Sequence, residues 1–396
     1  MGNATSHQLK AGIYDPYLDT LGVGERYCLT VAEILLKHGY LVDLFWSGDK
    51  QIITKAKERF SLNLDAISLV PDIFASLTTS IDIADNPEII RTILSHPAHH
   101  KVASIWQKFK TISQYDLFFY LSDGSLPFLF SKKNLLHLQV PFNHRPRLVQ
   151  SLLNLSKLKL IDRVICNSKF TSRFISRLLS VKPSLLYPPV DVNRFYPSPN
   201  KENIIISVGR FDNILNAKRQ DVLIEIFKEL CDQKKTPGWK LILAGGSHQK
   251  SQENKYLNLL ISQARGYPIE FLVDPPFANL VALYSKSKIY WHAAGFGIDE
   301  EQEPQKTEHF GITVVEAMAS GCVPVVVKKG GLPEIITPGT NGYLWSDYSQ
   351  AIEMTSKLIN RQDLFKTLSL AAIKTSKKFS KDNFESEFLA ILKNKR

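Results

Sequence analysis

The chain has 396 residues, 44% hydrophobic and 22% charged, the profile of an ordinary globular protein long enough for two or three domains. Its 49 Lys and Arg against 38 Asp and Glu leave a formal charge of +11, which suits anionic ligands or an anionic surface. No apolar run reaches the ~18 residues that span a bilayer, no aromatic-basic signature of a nucleic-acid reader is present, and the four cysteines form no Cys-x-x-Cys pair. Membrane-spanning, nucleic-acid-binding and zinc or redox classes are therefore not expected. Cys28, Cys166, Cys231 and Cys322 fit reduced thiols and a cytoplasmic setting. The opening Met1-Gly2-Asn3-Ala4-Thr5-Ser6 fits the short myristoylation pattern.

Short apolar runs alternate with amphipathic stretches, the pattern of parallel strands covered by helices. Ala11 to Tyr14 reads as a strand, Gly24 to His38 as a helix and Tyr40 to Trp46 as a strand. Gly22 and Gly24 stand just before that helix, where the lack of a side chain lets backbone approach a ligand. They half-match a dinucleotide fingerprint, but Tyr27 occupies the third glycine position. Helices are expected at Ile52 to Arg59 and Pro87 to His96. In Lys101 to Lys110, Ile105 and Phe109 share a helical face with Ile112 beside Trp106, with lysines around them. Such a helix either packs on a core or lies on an anionic membrane. Leu117 to Ser122 is the next strand, and Asp123 at its end either contacts an acceptor or caps the following element. Leu135 to Val140, containing His137, and Arg163 to Asn167 complete the first set, with an N-cap at Asn167-Ser168.

Prolines 188, 189, 197 and 199 mark a linker. Strands then follow at Asn203 to Val208, Lys240 to Ala244, Ile269 to Val273, Ile289 to Ala293 and Val323 to Val327. The division expected is 1–198, 199–380 and a closing helix over 381–396 with Phe384, Phe388 and Leu392 on one face. Gly209-Arg210 ends a strand and Lys218 opens a helix, two cations at one strand end. Fixed cations stabilise a departing diphosphate, Arg as a fork and Lys as a point charge. Arg219 is an alternative to Lys218. Glu308 and Glu316 flank seven residues that include Phe310-Gly311 and a helix start, an anion site by its free N–H groups. The two carboxylates would grip points roughly 10 Å apart. Thr313 and Glu316 also fit a capping box, in which Glu316 serves only its own helix. The acidic run Asp299 to Glu303 reads as a solvated flap.

The stretch Glu308 to Gly321, with Cys322 to Val327 and Gly330-Gly331-Leu332-Pro333-Glu334 after it, closely resembles the donor signature of glycosyltransferase family 4. Gly209-Arg210 with Lys218 resembles that family's donor-phosphate motif, though the Arg-to-Lys gap is longer here. Thr20 to Tyr27 resembles its glycine loop, with Val23 where many members have glycine. The resemblance implies the GT-B architecture, an α/β fold of two Rossmann-like domains with parallel sheets facing across a cleft. It implies a retaining, metal-independent transferase that moves a hexosyl or mannosyl unit from a UDP- or GDP-sugar to a glycan or lipid-linked acceptor. It also implies glycan biosynthesis on or near the cytoplasmic face of a membrane and a closing helix that returns to the first domain. No cofactor is implied beyond the nucleotide-sugar co-substrate, and neither a metal nor nucleic acid. By the same resemblance the catalytic set is Glu308, Arg210, Lys218 and His137. The donor set is Gly22, Gly24, Gly209, Arg210, Lys218, Glu308, His309, Phe310, Gly311, Ile312 and Glu316, and Asp123 is the acceptor candidate. A nucleotide-sugar 2-epimerase and a non-catalytic nucleotide-sugar binder are the alternatives.

Overall fold

The computed structural model describes residues 8–74, 103–122, 124–143, 148–213, 217–247 and 254–394. The expected helix Pro87 to His96, the opening six residues and Asp123 lie outside them. Two compact units are present: Met1–Pro189 with Phe384–Arg396, and Val190–Asn383.

Unit 1 is built on a seven-stranded sheet of order β3-β2-β1-β4-β5-β6-β7, parallel throughout. The strands are β1 (Lys10–Tyr14), β2 (Leu41–Phe45), β3 (Ile67–Val70), β4 (Leu117–Ser122), β5 (Asn134–Leu138), β6 (Arg163–Cys166) and β7 (Ser184–Leu185). Its helices are α1 (Val23–Lys37), α2 (Ile52–Phe60), α3 (Ile105–Ile112), α4 (Leu148–Lys159) and α5 (Lys169–Leu179). Both faces of the sheet are covered, so β4 is apolar on alternate sides. Leu117, Phe119 and Leu121 join the core under α1, while Phe118 and Tyr120 join the opposite core. Ser168 caps α5, its Oγ accepting from Thr171 N–H at 3.0 Å.

Unit 2 carries a six-stranded parallel sheet, β10-β9-β8-β11-β12-β13. These are β8 (Glu202–Val208), β9 (Lys240–Gly245), β10 (Ile269–Val273), β11 (Ser287–His292), β12 (Val323–Val327) and β13 (Tyr343–Trp345). Helices α6 (Gln220–Asp232), α7 (Lys255–Gln263), α8 (Phe277–Lys286), α9 (Ile312–Ala319), α10 (Leu332–Ile335), α11 (Tyr348–Asn360) and α12 (Gln362–Ser376) complete it. Residues 190–198 lie in this unit, where Phe195 packs edge-on against Tyr284 at 5.6 Å and Phe277 at 6.0 Å.

The final helix, α13 (Lys381–Lys393), packs with unit 1 from Phe384 onward. Phe384 meets Tyr27 edge-on at 4.9 Å, Phe388 lies against Phe119 at 6.3 Å, and Glu385 pairs with Lys37 at 2.8 Å. Burying the two rings contributes about 2–3 kcal/mol each.

One polar device in unit 2 holds the helix ends together. Lys201 Nζ donates to the carbonyls of Ser285, Ser287 and Ser320 at 3.0, 2.6 and 2.8 Å. Ser285 ends α8 and Ser320 closes α9, so one ammonium satisfies the negative ends of two helices. Burial pushes the Lys201 pKa down, and the three carbonyls keep the charge worthwhile. Lys201→Met should lower unfolding free energy by about 1–3 kcal/mol in urea titration, since it strands the Ser320 carbonyl and leaves Ser285 O with Ser198 N–H and Ser287 O with the Cys322 thiol.

Candidate functional site

In a doubly wound sheet, ligands settle at the C-terminal strand ends where the strand order reverses. In unit 2 that point lies between β8 and β11. Gly209-Arg210 follows β8 directly, and His292 ends β11. Gly209 N–H donates to Ala244 O at 2.9 Å, extending the ladder by one step. A Cβ on Gly209 would overlap the Lys218 stem, so the missing side chain is what lets Lys218 cross the strand end.

Lys218 thereby reaches Glu308, Nζ to Oε2 at 2.6 Å, with the side chains only 17% and 11% exposed. The same Oε2 lies 2.9 Å from His292 Nε2. His292 Nδ1 accepts from Ala294 N–H at 3.3 Å, which leaves the ring proton on Nε2, aimed at Glu308. Burial disfavours charge on Glu308, but the Lys218 ammonium and then His292 outweigh it and hold the carboxyl well below its usual range. Burial also lowers the His292 pKa, despite the neighbouring carboxylate, so the ring is a neutral donor at pH 7. His292 was not among the sequence candidates. Its signal is a polar residue ending an otherwise apolar strand, beside a switch point.

The loop bearing Glu308 is braced from behind by two glycines. Gly331 N–H donates to Glu308 O at 2.8 Å, and a Cβ on Gly330 or Gly331 would run into the backbone oxygen of Glu308 or His309. His309 Nε2 lies 3.2 Å from Gln305 O, and the Phe310 ring is buried edge-on against Phe379 at 5.2 Å. Gly311 opens α9 at φ 108, a left-handed conformation in which an added Cβ would also strike Leu332. Ile312 and the next amides therefore begin the helix beside Glu308.

The capping box does not form: no side chain caps α9, and Thr313 Oγ1 instead accepts from Tyr290 OH at 2.8 Å. Because α9 is apolar nearly all round, Glu316 is drawn inward with it and accepts from Tyr284 OH at 3.4 Å. Arg210 remains half-exposed, its Nε 3.3 Å from Asp212. Arg219 is engaged elsewhere, by Asp221 at 2.9 Å and Phe296 O at 2.6 Å, so Lys218 is the cation at Glu308. The acidic flap is pinned rather than loose: Glu300 accepts from Gly330 N–H at 3.0 Å.

Unit 1 presents its own strand-end group. Gly22 caps α1 and donates its N–H to Glu25, and a Cβ on Gly24 would strike Gln139. Asp15, just beyond β1, is buried, and its Oδ2 has no hydrogen-bond partner among the described residues. Burial, then the Glu25 charge, pushes its carboxyl up. His137 does not belong to such a group. It lies inside the core of unit 1, stacked on Tyr27 at 4.0 Å, with no exposed surface. That burial counts against the catalytic reading of His137, which rests on the resemblance alone. Among the described residues no cluster of three His, Cys, Asp or Glu could hold a metal ion, and no helix is long and apolar enough to cross a membrane.

Several known proteins resemble this chain. It is 31% identical over 247 residues to a Xenopus tropicalis GDP-Man:Man(3)GlcNAc(2)-PP-Dol alpha-1,2-mannosyltransferase, covering 58% of this chain and 47% of that protein. The human protein of that name is 29% identical, with 58% and 48% covered. The chain thus spans about half the length of these curated relatives. Among solved structures, a glycosyltransferase from Rickettsia africae superposes with TM-score 0.71 at 17% identity, covering 98% of this chain and 100% of that one. Anabaena Alr3699/HepE in complex with UDP and glucose gives 0.67 at 17% identity, with 97% and 99% covered. The fold is therefore the two-domain GT-B α/β architecture. Residues 192–374 match the family model "Glycosyl transferases group 1", and since Arg210, Lys218, Glu308 and Glu316 all fall inside that stretch, the chain is related to the sugar transferases of that group.

Proposed function

We propose that the chain is a retaining, metal-independent glycosyltransferase of family 4 that uses a nucleotide diphosphate sugar. The observation that carries this is the Lys218–Glu308–His292 cluster at the β8/β11 switch point, braced by the Gly330-Gly331 turn. The curated relatives named above as GDP-Man transferases favour a GDP-linked mannosyl donor and a lipid-linked glycan acceptor. A UDP-hexose is the second donor to test.

In this reading Arg210 and Lys218 take the donor diphosphate, which replaces Glu308 as the anion facing Lys218. Glu308 then accepts from sugar hydroxyls, steadied by the Nε2–H of His292. The amides of Phe310, Gly311 and Ile312 lie against the sugar, and Glu316 binds ribose hydroxyls. Gly22 and Gly24 let backbone approach the phosphates, and residues 381–396 serve the acceptor-binding domain. The bond from the anomeric carbon to the diphosphate oxygen breaks, leaving its electron pair on the phosphate. The acceptor oxygen bonds the same face of that carbon and passes its proton to the departing phosphate. The cations stabilise charge that grows only in the transition state, so they raise turnover rather than affinity alone.

Release of GDP or UDP from a panel of nucleotide sugars, with and without dolichyl- or polyprenyl-linked glycans, tests this. Acceptor-stimulated release of one nucleotide is expected, and Arg210→Ala should cut it about a hundredfold. Epimerised donor, or binding without turnover, would favour the alternatives. Undiminished activity in Arg210→Ala would remove the site assignment.

A further inference from the structure

Unit 1 carries a surface that the proposed transfer does not use. Ile112, at the C-terminal end of α3, is fully buried in the core. Ile105, Trp106 and Phe109 stay 55%, 72% and 43% exposed. Trp106 stacks on Phe109 at 5.6 Å, Phe109 meets Phe130 edge-on at 5.3 Å, and Phe130 lies parallel to Phe128 at 6.2 Å. Lys157 of α4 sits 5.4 Å above the Phe128 ring, and exposed Leu153 stands one turn before it. A single exposed apolar residue needs no cause, but a continuous row of rings bridging α3, residues 128–130 and α4 does.

The charges around this row are mostly of one sign. Burial lowers the Lys108 pKa, Asp72 partly offsets this, and the Lys157 charge lowers it further; Lys110 is exposed beside them. Asp72 is the acidic group facing Lys108.

We propose that this face docks on an anionic lipid bilayer. Ile105, Trp106 and Phe109 enter the boundary between headgroups and acyl chains, where an indole is at home. Lys110 and Lys157 direct their ammonium groups to lipid phosphates, while Lys108, whose Nζ lies 5.5 Å over the Phe74 ring, adds positive charge behind them. Charge of one sign beside exposed rings selects a lipid surface over a mixed-charge protein partner. The inference rests on unit 1 and stands or falls independently of the donor site, although it gives a lipid-linked acceptor a place to be met.

The test is flotation of the full chain with phosphatidylcholine vesicles and with phosphatidylcholine–phosphatidylglycerol vesicles. Partition is expected onto the anionic vesicles alone, falling with added salt. Tryptophan emission should shift to the blue on binding, because Trp106 is the most exposed of the five indoles, with Trp46 partly buried and Trp239, Trp291 and Trp345 buried. Trp106→Asp, and separately the exposed charge reversal Lys110→Glu, should lower partition at least about tenfold. Melting temperature and donor turnover on a soluble acceptor should stay unchanged. Equal binding to neutral vesicles, or partition that ignores Trp106→Asp, would overturn the proposal. So would a dimer in sedimentation that Trp106→Asp dissolves, since a second copy would then be the occupant.

Discussion

Glu308→Gln and Lys218→Gln are each expected to lower kcat about a thousandfold, and the double variant is expected to be scarcely worse than either single one. Near-isosteric amides keep the shape and remove one charge. In the proposed mechanism, losing Lys218 strips the leaving phosphate of a cation placed in a nearly dry site, a loss of order 10²–10³ in rate. It also leaves Glu308 buried with only the neutral His292 as partner, so its pKa rises toward and beyond the usual carboxylate range. Wild-type kcat/KM, which reports the free enzyme, should therefore be flat on the acid side because Glu308 stays ionised there, while kcat/KM of Lys218→Gln should acquire an acid limb. Losing Glu308 leaves Lys218 and His292 donating to a neutral amide, and the sugar hydroxyls lose their acceptor. Groups that touch, as these do at 2.6 Å, do not lose function additively. Breaking one partner of a buried pair also costs about 3–5 kcal/mol of stability, so kinetics belong well below each variant's melting temperature. Rate losses that multiply in the double variant would show that the two side chains act separately, and a flat acid profile in Lys218→Gln would show that Glu308 does not rely on it.

Much of this cluster could be read from the sequence because its parts announce themselves locally. Gly209, Gly311 and Gly330-Gly331 sit where strands end or helices begin, and each proves to be a point where a Cβ has no room. The central strands were legible because Leu117–Ser122 and Val323–Val327 are buried on both faces, and the edge strand Ile269–Val273 because only Glu270 interrupts its apolar run. The short edge strands β3, β7 and β13 escaped because two to four residues carry no period. His292 escaped for a different cause. Its value lies in a contact with Glu308 sixteen positions away and in an N–H from Ala294, neither of which spacing encodes. Lys201 is similar: three carbonyls from separate elements converge on it. The competition between Lys218 and Arg219 was likewise undecidable from order alone, since Arg219 adopts φ 52 and turns away to Asp221.

His137, expected at the sugar, lies inside the core of unit 1, and its burial has a measurable consequence. The ring lies between Tyr27 at 4.0 Å and Phe119 at 5.9 Å. Nδ1 is 3.3 Å from Ile165 O, and Nε2 is buried without a partner. Burial, only partly offset by the Ile165 contact, pushes the ring pKa down to about 3. In the unfolded chain the same ring protonates near ~6.5. Between those two values the unfolded state holds a proton that the native state refuses, so stability falls as pH falls. The slope approaches about 1.4 kcal/mol per pH unit below the unfolded pKa. His137→Phe keeps an aromatic ring in the stack and removes the titrating site. Urea unfolding of both proteins at pH 7 and pH 5 should therefore show the wild type losing about 2 kcal/mol more than the variant. Other titrating groups, His292 and Asp15 among them, occur in both proteins and cancel in the difference. Parallel stability curves would mean that the ring is already charged, or equally hard to charge, in both states. The variant also decides the residue's role in function. A ring with no exposed surface should leave nucleotide release within a few fold of wild type, whereas a folded His137→Phe protein with turnover reduced a hundredfold would return His137 to the sugar.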